Sequence, residues 1–204
     1  MTDTFGGDLT QNLIRWIHLI AGVVWIGHLY FFNFVNANFQ KTIDGPTKKA
    51  VNPELLPRAL YFFRWGAMWT LVTGILLALI LYWAGPYLTD AEGRMSMRAI
   101  YIHVGAIFGI YMAYNVWMKI WPAQQKIIMA IKNGEAPDAA LVAMAGTRSK
   151  QNTYLSFPLL FLMLSVHHPV TYGTGGIALL IVIVVLGFGI AYLLYQKAAQ
   201  VKGF

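Results

Sequence analysis

The sequence predicts an all-α integral membrane protein, a helical bundle of about five transmembrane helices. Of the 204 residues, 58% are hydrophobic and 11% are charged, whereas about a quarter of the residues of a soluble domain are charged. The mean hydropathy is +0.56. Apolar segments of about 20 residues, the length that crosses a bilayer, alternate with polar segments that contain glycine and proline. These observations exclude a soluble globular domain and make the lipid bilayer the first expected partner.

The apolar segments define five predicted spans within a single domain, residues 1–204. We expect them at residues 10–36, 56–83, 97–120, 153–168 and 176–195. Turn-forming residues mark the predicted breaks, and Pro158 should kink the fourth span. These turn-forming residues are Gly45-Pro46, Asn52-Pro53, Gly85-Pro86, Pro122 and His168-Pro169. The connection 123–151 is too polar to span, and its segments 124–132 and 138–145 are typical of amphipathic helices at the cytoplasmic face.

The distribution of charge predicts the orientation of the chain. Lysine and arginine collect in the first connection, the connection 123–151 and the C-terminal tail, which five spans place on one side. By the positive-inside rule, we expect a periplasmic N-terminus and a cytoplasmic C-terminus in a bacterial inner membrane. This topology accounts for the net charge of +7 without nucleic acid as a partner. No cleavable signal peptide is expected, because acidic and polar residues such as Asp8 precede the first span.

The absence of cysteine limits the chemistry of this chain. It excludes disulfides, zinc–thiolate sites, iron–sulfur clusters and covalent c-type haem attachment through CxxCH.

Histidines are the main candidates for a functional site, since an ionisable residue is costly inside a membrane. All five lie in or at the ends of predicted spans. His18 and His103 fall in the periplasmic halves of the first and third spans, and His167 and His168 end the fourth on the same side. His28 lies about 15 Å deeper than His18 along the first span. Three spans thus bring histidine to one predicted layer.

This layer predicts a haem b site in a four-helix core, with one further helix outside it. Helical bundles hold cofactors between facing helices, and two imidazoles can ligate haem iron. We expect His18 and His103 to be the ligands, with His167 or His168 as substitute. Gly22 and Trp25, four and seven residues after His18, would shape the pocket. Copper is the weaker alternative, since imidazole also suits copper, and each histidine alone would be equally well explained by a hydrogen bond to a neighbour.

A second polar pocket is predicted nearer the cytoplasm. Arg64 lies about 9 Å inside the second span, and His28 and Asn115 fall at a comparable depth. One interpretation is that Arg64 extends to the interface and packs on aromatic side chains. The alternative is a pocket for a quinone, a proton path or haem propionates, because an arginine this far from a helix end usually has a partner.

Four stretches carry a resemblance to a known family: WIHLIAGVVWIGHLYFFNF, LPRALYFFRWGAMWTLVTG, HVGAIFGIYMAYNVWMKIWPAQ and QNTYLSFPLLFLMLSVHH. They resemble the bacterial urate-oxidase N-terminal membrane domain, the membrane part of cytochrome-c-fused urate hydroxylases. The resemblance implies membrane-bound redox chemistry with electron delivery to a cytochrome c. Because this sequence has no CxxCH, a c-type cytochrome would have to be a separate chain, and urate oxidation by this chain alone does not follow.

Three functions remain open from the sequence, and whether the chain is an enzyme is undecided among them. The leading hypothesis is a cytochrome b-like electron-transport protein or redox-complex subunit with haem toward the periplasm. The second is a membrane-bound oxidoreductase acting on urate or a quinol. The third is a non-catalytic accessory subunit of a larger respiratory or photosynthetic complex, or a homo-oligomer. In this last case the small residues Gly187, Gly189 and Ala191 would permit close helix approach.

Overall fold

The computed structural model describes residues 2–202, with side chains from residue 7, and confirms the all-α helical bundle. Residues 1, 203 and 204 of the predicted domain lie outside the described residues. The described chain forms seven α-helices and three π-helical segments, Phe31–Asn36, Leu79–Trp83 and Asn115–Ile120. The α-helices are α1 Thr2–Tyr30, α2 Ala37–Thr42, α3 Gly45–Ala78, α4 Met97–Tyr114, α5 Trp121–Asn133, α6 Ala139–Ser165 and α7 Pro169–Gln200.

Four continuous helical stretches of the described chain are long and apolar enough to cross a membrane. They are Gly7–Thr42, Gly45–Trp83, Met97–Asn133 and Pro169–Gln200. The remaining predicted span, 153–168, falls mainly on α6, which ends at Ser165. Polar side chains that α6 buries inside the bundle lower its hydropathy, among them Asn152, Thr153 and Ser156. A fifth span at α6 stays a prediction.

The helices continue through several predicted breaks. Pro46 lies in the first turn of α3, and Pro53 lies inside it. Pro122, predicted to end the third span, instead follows the π segment Asn115–Ile120 at the start of α5. In that segment the Trp121 N–H donates to the Val116 carbonyl, five residues earlier. This wider turn accommodates proline, whose ring clashes with the carbonyl four residues earlier in a regular α-helix.

The predicted connection 123–151 is helical at 124–132 and from residue 139 onward, and its place at the cytoplasmic face stays a prediction. It consists of α5, which extends α4 through the π segment, and the first half of α6. Gly134 ends α5 with φ of 80°, a left-handed conformation that glycine adopts without strain. Asp138 begins α6 by accepting a hydrogen bond from the Ala140 N–H at 2.8 Å.

Close approach between helices organises the bundle. α1 lies along α3, and a Cβ added at Gly66 of α3 would meet the Trp25 backbone nitrogen at 3.0 Å. On the other side, a Cβ at Gly187 of α7 would meet Pro158 Cδ of α6 at 2.6 Å. In lipid, no hydrophobic driving force brings helices together, because the acyl chains are as apolar as the side chains. Close van der Waals contact of this kind joins them instead. The core between these pairs contains Leu29, Phe63, Ala67, Met112 and Val116.

The bundle has two ends, which we name by their contents. The lysine-rich end contains the turns at 43–44 and 134–138, and Lys49 Nζ lies 3.1 Å from a Cβ built on Gly134. The distal end contains the connections 84–96 and 166–168. The side of the membrane that each end faces stays a prediction.

Candidate functional site

His18 lies on α1 against α3, near the distal end. Its Nδ1 is 3.1 Å from Thr73 Oγ1, and the Thr73 hydroxyl donates its own hydrogen to the Trp69 carbonyl at 2.6 Å. Thr73 oxygen is therefore the acceptor and His18 Nδ1 carries the proton. The Thr70 carbonyl is a further backbone acceptor near this ring, and among the described residues Nε2 has no side-chain hydrogen-bond partner. A histidine held through one ring nitrogen, with the other free, is the usual arrangement of a metal ligand.

Small residues on α3 make room for this imidazole. A Cβ built on Gly74 would lie 3.0 Å from His18 Cε1. Gly22, one turn further along α1, faces Thr70 of α3, whose Oγ1 is 4.0 Å from its ideal Cβ. Trp25 is 2% exposed and lies in the core, with its indole N–H buried and unpartnered within residues 2–202. Gly22 and Trp25 thus follow His18 along the contact between α1 and α3.

His103, the predicted partner of His18, lies on α4 against the π segment Leu79–Trp83. Its Nδ1–H donates to the Ala99 carbonyl at 2.7 Å, and the Trp83 indole N–H donates to its Nε2 at 3.0 Å. Both ring nitrogens are occupied. Thr73 and Trp83, which bind the two histidines, are ten positions apart on one continuous helical stretch. The structure does not bring the two imidazoles into contact, and their joint ligation of a haem stays a prediction.

His167 and His168 follow the end of α6 in an exposed connection at the distal end. Arg15, Arg98 and His168 all lie near enough to His167 to interact with it electrostatically. Arg15 lies three residues before His18, on the same face of α1. The structure therefore brings the connection after α6 close to the end of α1 that carries His18.

The packing of α1 on α6 also places His18 and the connection after α6 at a similar depth in the bundle. The Tyr30 ring stacks on Phe157 at 5.2 Å, and its hydroxyl is 2.9 Å from Ser156 Oγ. His18 lies twelve residues from Tyr30 toward the distal end. The antiparallel α6 chain reaches His168 after a similar number of residues, so both lie about 18 Å from the Tyr30 contact.

His28 lines a groove of about 470 Å³ on the outer side of α1 and α3. Its Nδ1–H donates to the Val24 carbonyl at 2.7 Å, and its ring stacks on Phe62 with centroids 6.0 Å apart. The groove also includes Gly27 and Arg58. It lies toward the lysine-rich end of the bundle.

Arg64 points elsewhere, toward α5. Its guanidinium carbon lies 3.8 Å from the Trp121 ring centroid and 5.9 Å from that of Trp117. The Trp117 indole N–H donates to the Arg64 carbonyl at 3.0 Å. Among the described residues, Nε of Arg64 is buried without a hydrogen-bond partner. These contacts match the interpretation in which the arginine packs on aromatic side chains.

Asn115 lies in the core between α4 and α6. Its Nδ2 donates to Asn152 Oδ1 at 2.8 Å, and Asn152 Nδ2 donates to the Met112 carbonyl at 3.0 Å. His28, Arg64 and Asn115 therefore have similar depths but separate surroundings: a lipid-facing groove, an aromatic contact and a polar core pair. A single second pocket that combines them is not formed.

The residues that sequence reasoning missed are the polar partners of the helices. Thr73 and Trp83 bind the two histidines, and Asn33 joins Ser149 of α6 to Tyr195 of α7 at 2.8 Å each. The available signal was their position, since a threonine or asparagine inside an apolar span needs a hydrogen-bond partner. No three His, Cys, Asp or Glu side chains gather as metal ligands among the residues whose side chains are described, and copper as the weaker alternative to haem stays a prediction.

Comparison with known proteins gives one family. The family model described as urate oxidase N-terminal matches residues 5–92 and 87–202, which together cover nearly the whole chain. No curated protein and no solved structure matches. The match confirms the resemblance found in the sequence.

Proposed function

The chain belongs to the urate oxidase N-terminal family, and we propose that it is a membrane-embedded b-type haem protein that transfers electrons near the distal end of the bundle. The family and the apolar helices support a membrane domain related to urate hydroxylases. The haem is our further step. His18 carries the proposal, because its imidazole is fixed by Thr73 through Nδ1 and keeps a free lone pair on Nε2.

The residues around His18 fit a ligand role. Gly74 leaves space for the imidazole on α3, and the low-dielectric helices around it would raise the influence of each nearby charge on the reduction potential. Bound haem supplies one-electron chemistry between ferric and ferrous iron. The contribution of this chain is to hold the ligand, exclude water and place positive charges such as Arg15 near the site.

The second ligand is better assigned to the connection after α6 than to His103. His103 Nε2 already accepts a hydrogen bond from Trp83, so ligation through that nitrogen requires Trp83 to move. His167 and His168 are exposed, and Arg15 acts on His167 from the turn of α1 that precedes His18. We propose His18 with His167 or His168, and keep His103 as the alternative.

An optical spectrum of the purified protein, oxidised and dithionite-reduced, tests this function together with a pyridine haemochrome assay. We expect a b-type signal near one haem per chain, which His18→Ala removes. His28→Ala is the matched control, since it removes the other histidine of α1 and should keep the signal. Folded protein without haem, or His18→Ala with an unchanged spectrum and haem content, would overturn the proposal.

Oxidation of urate or a quinol is the second candidate, favoured by the description of the family. The chain would accept electrons from the substrate and pass them to a separate c-type cytochrome. The test is anaerobic addition of urate, or of a short-chain quinol, to the oxidised protein while the haem spectrum is followed. Reduction by urate alone would establish the urate activity, and no reduction by either compound would exclude this candidate.

The accessory-subunit hypothesis has less support from the helix surfaces. The sequence predicts that Gly187 and Ala191 permit close approach of a partner helix. Both are buried within this chain, and Gly187 lies against Pro158. Gly189 alone of these three faces open space. Size-exclusion chromatography with light scattering, on protein extracted in mild detergent, would detect a stoichiometric partner or a homo-oligomer.

A further inference from the structure

The groove at His28 has a polar group that the haem proposal does not use. It is an open surface groove of about 470 Å³ between α1 and α3. Its lining is mostly apolar, with exceptions at His28 and Arg58. The residues used below are Gly27, His28, Phe31, Arg58 and Phe62.

The hydrogen bonding of His28 determines what the groove can bind. Because a carbonyl oxygen only accepts hydrogen bonds, the 2.7 Å contact with Val24 places the proton on Nδ1. Nε2 of the neutral ring is then an acceptor, and it makes no hydrogen bond within the described part of the chain. An acceptor in apolar surroundings gains most from a ligand that carries an O–H or N–H donor.

The shape of the groove favours a flat ring. Nothing lies within 4 Å of a Cβ built on Gly27, so the backbone of α1 is open at the position just before His28. Phe62 holds the imidazole in a stacked orientation, with an interplanar angle of 20°, and Phe31 adds a second aromatic wall. Planar apolar molecules bind well between such side chains.

The charge of the groove favours a neutral ligand. Arg58 is paired with Glu54 at 2.8 Å, and both side chains are more than 70% exposed. The charge of Arg58 is therefore already compensated by Glu54, and no other arginine, lysine, aspartate or glutamate lines the groove. A charged phospholipid headgroup gains little there, and an acyl chain offers no donor to Nε2.

We propose that this groove binds the headgroup of a membrane quinol, with one quinol hydroxyl donating to His28 Nε2 and the ring lying over Gly27. A quinol is neutral, planar and soluble in the bilayer, and it carries the O–H donor that Nε2 needs. The inference concerns binding and does not depend on the haem. The site lies about 15 Å from His18 along α1.

Two glycines provide the main test. Gly27 and Gly189 are both helical, and nothing lies within 4 Å of an added Cβ at either, but only Gly27 lines the groove. Equilibrium dialysis with radiolabelled ubiquinol and menaquinol analogues of short chain, against detergent-solubilised full chain, measures the affinity. We expect saturable binding near one per chain, lost or weakened at least about tenfold in Gly27→Leu, as expected for overfilling a formed pocket. Gly189→Leu should bind as the unchanged protein does.

The acceptor is tested at His28 itself. His28→Leu removes it and should weaken binding about tenfold, the value of one hydrogen bond in apolar surroundings. His28→Gln keeps a side-chain acceptor and should recover part of the affinity. Circular dichroism melting of each variant shows that it is folded.

Two outcomes would overturn the inference. One is equal affinity in Gly27→Leu, Gly189→Leu and the unchanged protein. The other is binding that phospholipid abolishes and His28→Leu leaves unaffected, which would mean an acyl-chain groove. Neither outcome changes the haem content, so failure of the quinol site and failure of the haem proposal are distinguishable.

Discussion

Two histidines on one helix, ten residues apart, have opposite surroundings. His18 lies where α1 touches α3, fixed by Thr73 and fitted against Gly74. His28 lies where the same two helices leave a groove, and its Nδ1–H is satisfied by its own helix. Both rings keep a free Nε2. The neighbouring helix therefore determines whether this lone pair is available to a cofactor inside the bundle or to a molecule that arrives through the lipid.

The closest approach of α1 and α3 lies between these two sites. At Gly66 a Cβ would meet the Trp25 nitrogen at 3.0 Å and the Ala21 carbonyl oxygen at 3.2 Å. At Gly27, nearer the lysine-rich end, a Cβ would meet nothing within 4 Å. The pair of helices is thus closed from His18 to Trp25 and open at His28.

The largest expected effect is a separation of the two histidines. His18→Ala should remove the haem signal and leave quinol affinity unchanged, because the groove does not include His18. His28→Leu should do the reverse. Spectra and equilibrium dialysis on the same preparations measure both. Loss of both properties in either variant would mean that the two sites are one.

The second expected effect concerns the hydrogen bond that orients His18. Thr73→Val keeps the side-chain shape but removes the acceptor for Nδ1–H, and loss of such a supporting bond typically costs about 10–100-fold in affinity for a bound metal centre. Haem titration of the stripped protein measures it.

Thr70→Val is the control for this effect, since the Thr70 hydroxyl donates to the Gly66 carbonyl of its own helix. Equal haem affinity in the two valine variants would show that Thr73 does not position His18.

The third effect tests the closed and open parts of the helix pair. Gly66→Ala forces the helices apart and should destabilise the protein by about 1–3 kcal/mol, the usual cost of overpacking. Gly27→Ala meets no atom and should be neutral, or stabilising by up to about 1 kcal/mol through helix propensity. Denaturant unfolding in detergent compares them. A Gly66→Ala variant as stable as Gly27→Ala would contradict the close contact.

The smallest effect concerns the start of α3, at the lysine-rich end. Asp44 caps this helix by accepting a hydrogen bond from the Thr47 N–H at 2.9 Å, and the bonds to Thr47 lower the pKa of the Asp44 carboxyl. A lowered pKa in the folded state means that the contribution to stability is present above the unfolded pKa and is lost as pH falls through the folded value.

Asp44→Ala should therefore have a slightly lower melting temperature than the unchanged protein at neutral pH. In acid, the two melting temperatures should converge. Circular dichroism melting from neutral pH down to the stability limit in acid would measure it. A difference that stays constant across that range would exclude the carboxylate as the cause.

The sequence predicted the helical fold well because hydropathy and composition report membrane helices directly. It was less successful at helix ends. The sequence predicts breaks at Pro53 and Pro122, yet α3 continues through Pro53 and Pro122 follows a π segment. Proline disfavours a regular α-turn and is accommodated where the turn widens, as it does before Pro122. Nothing local in the sequence distinguishes a proline that ends a helix from one that the helix continues through.

The candidate site was predicted in part. Depth along each helix follows from residue number, so the nearness of Arg15, His18 and the turn at His167 was accessible from the sequence. The direction in which each side chain points was not accessible from the sequence, because it depends on how each helix is rotated about its axis. Thus His103 turns toward Trp83, and Arg64 and Asn115 share a depth but face different helices.

The π segments let a helix hold an extra residue without changing the facing of the side chains that follow. Each accommodates one surplus residue per turn, as the donation from Trp121 to the carbonyl five residues earlier illustrates. Deleting a single residue from 115–120 would remove this surplus and let the backbone return to ordinary α geometry, and the residues after it would keep their facing relative to α4. Trp121 would then still face Arg64. A deletion within the regular α-turns of α4 would instead rotate everything after it by about 100°. We expect the first deletion to preserve the contacts of α5 and the second to disrupt them, so that the π segment is the place where this helix tolerates a change of length.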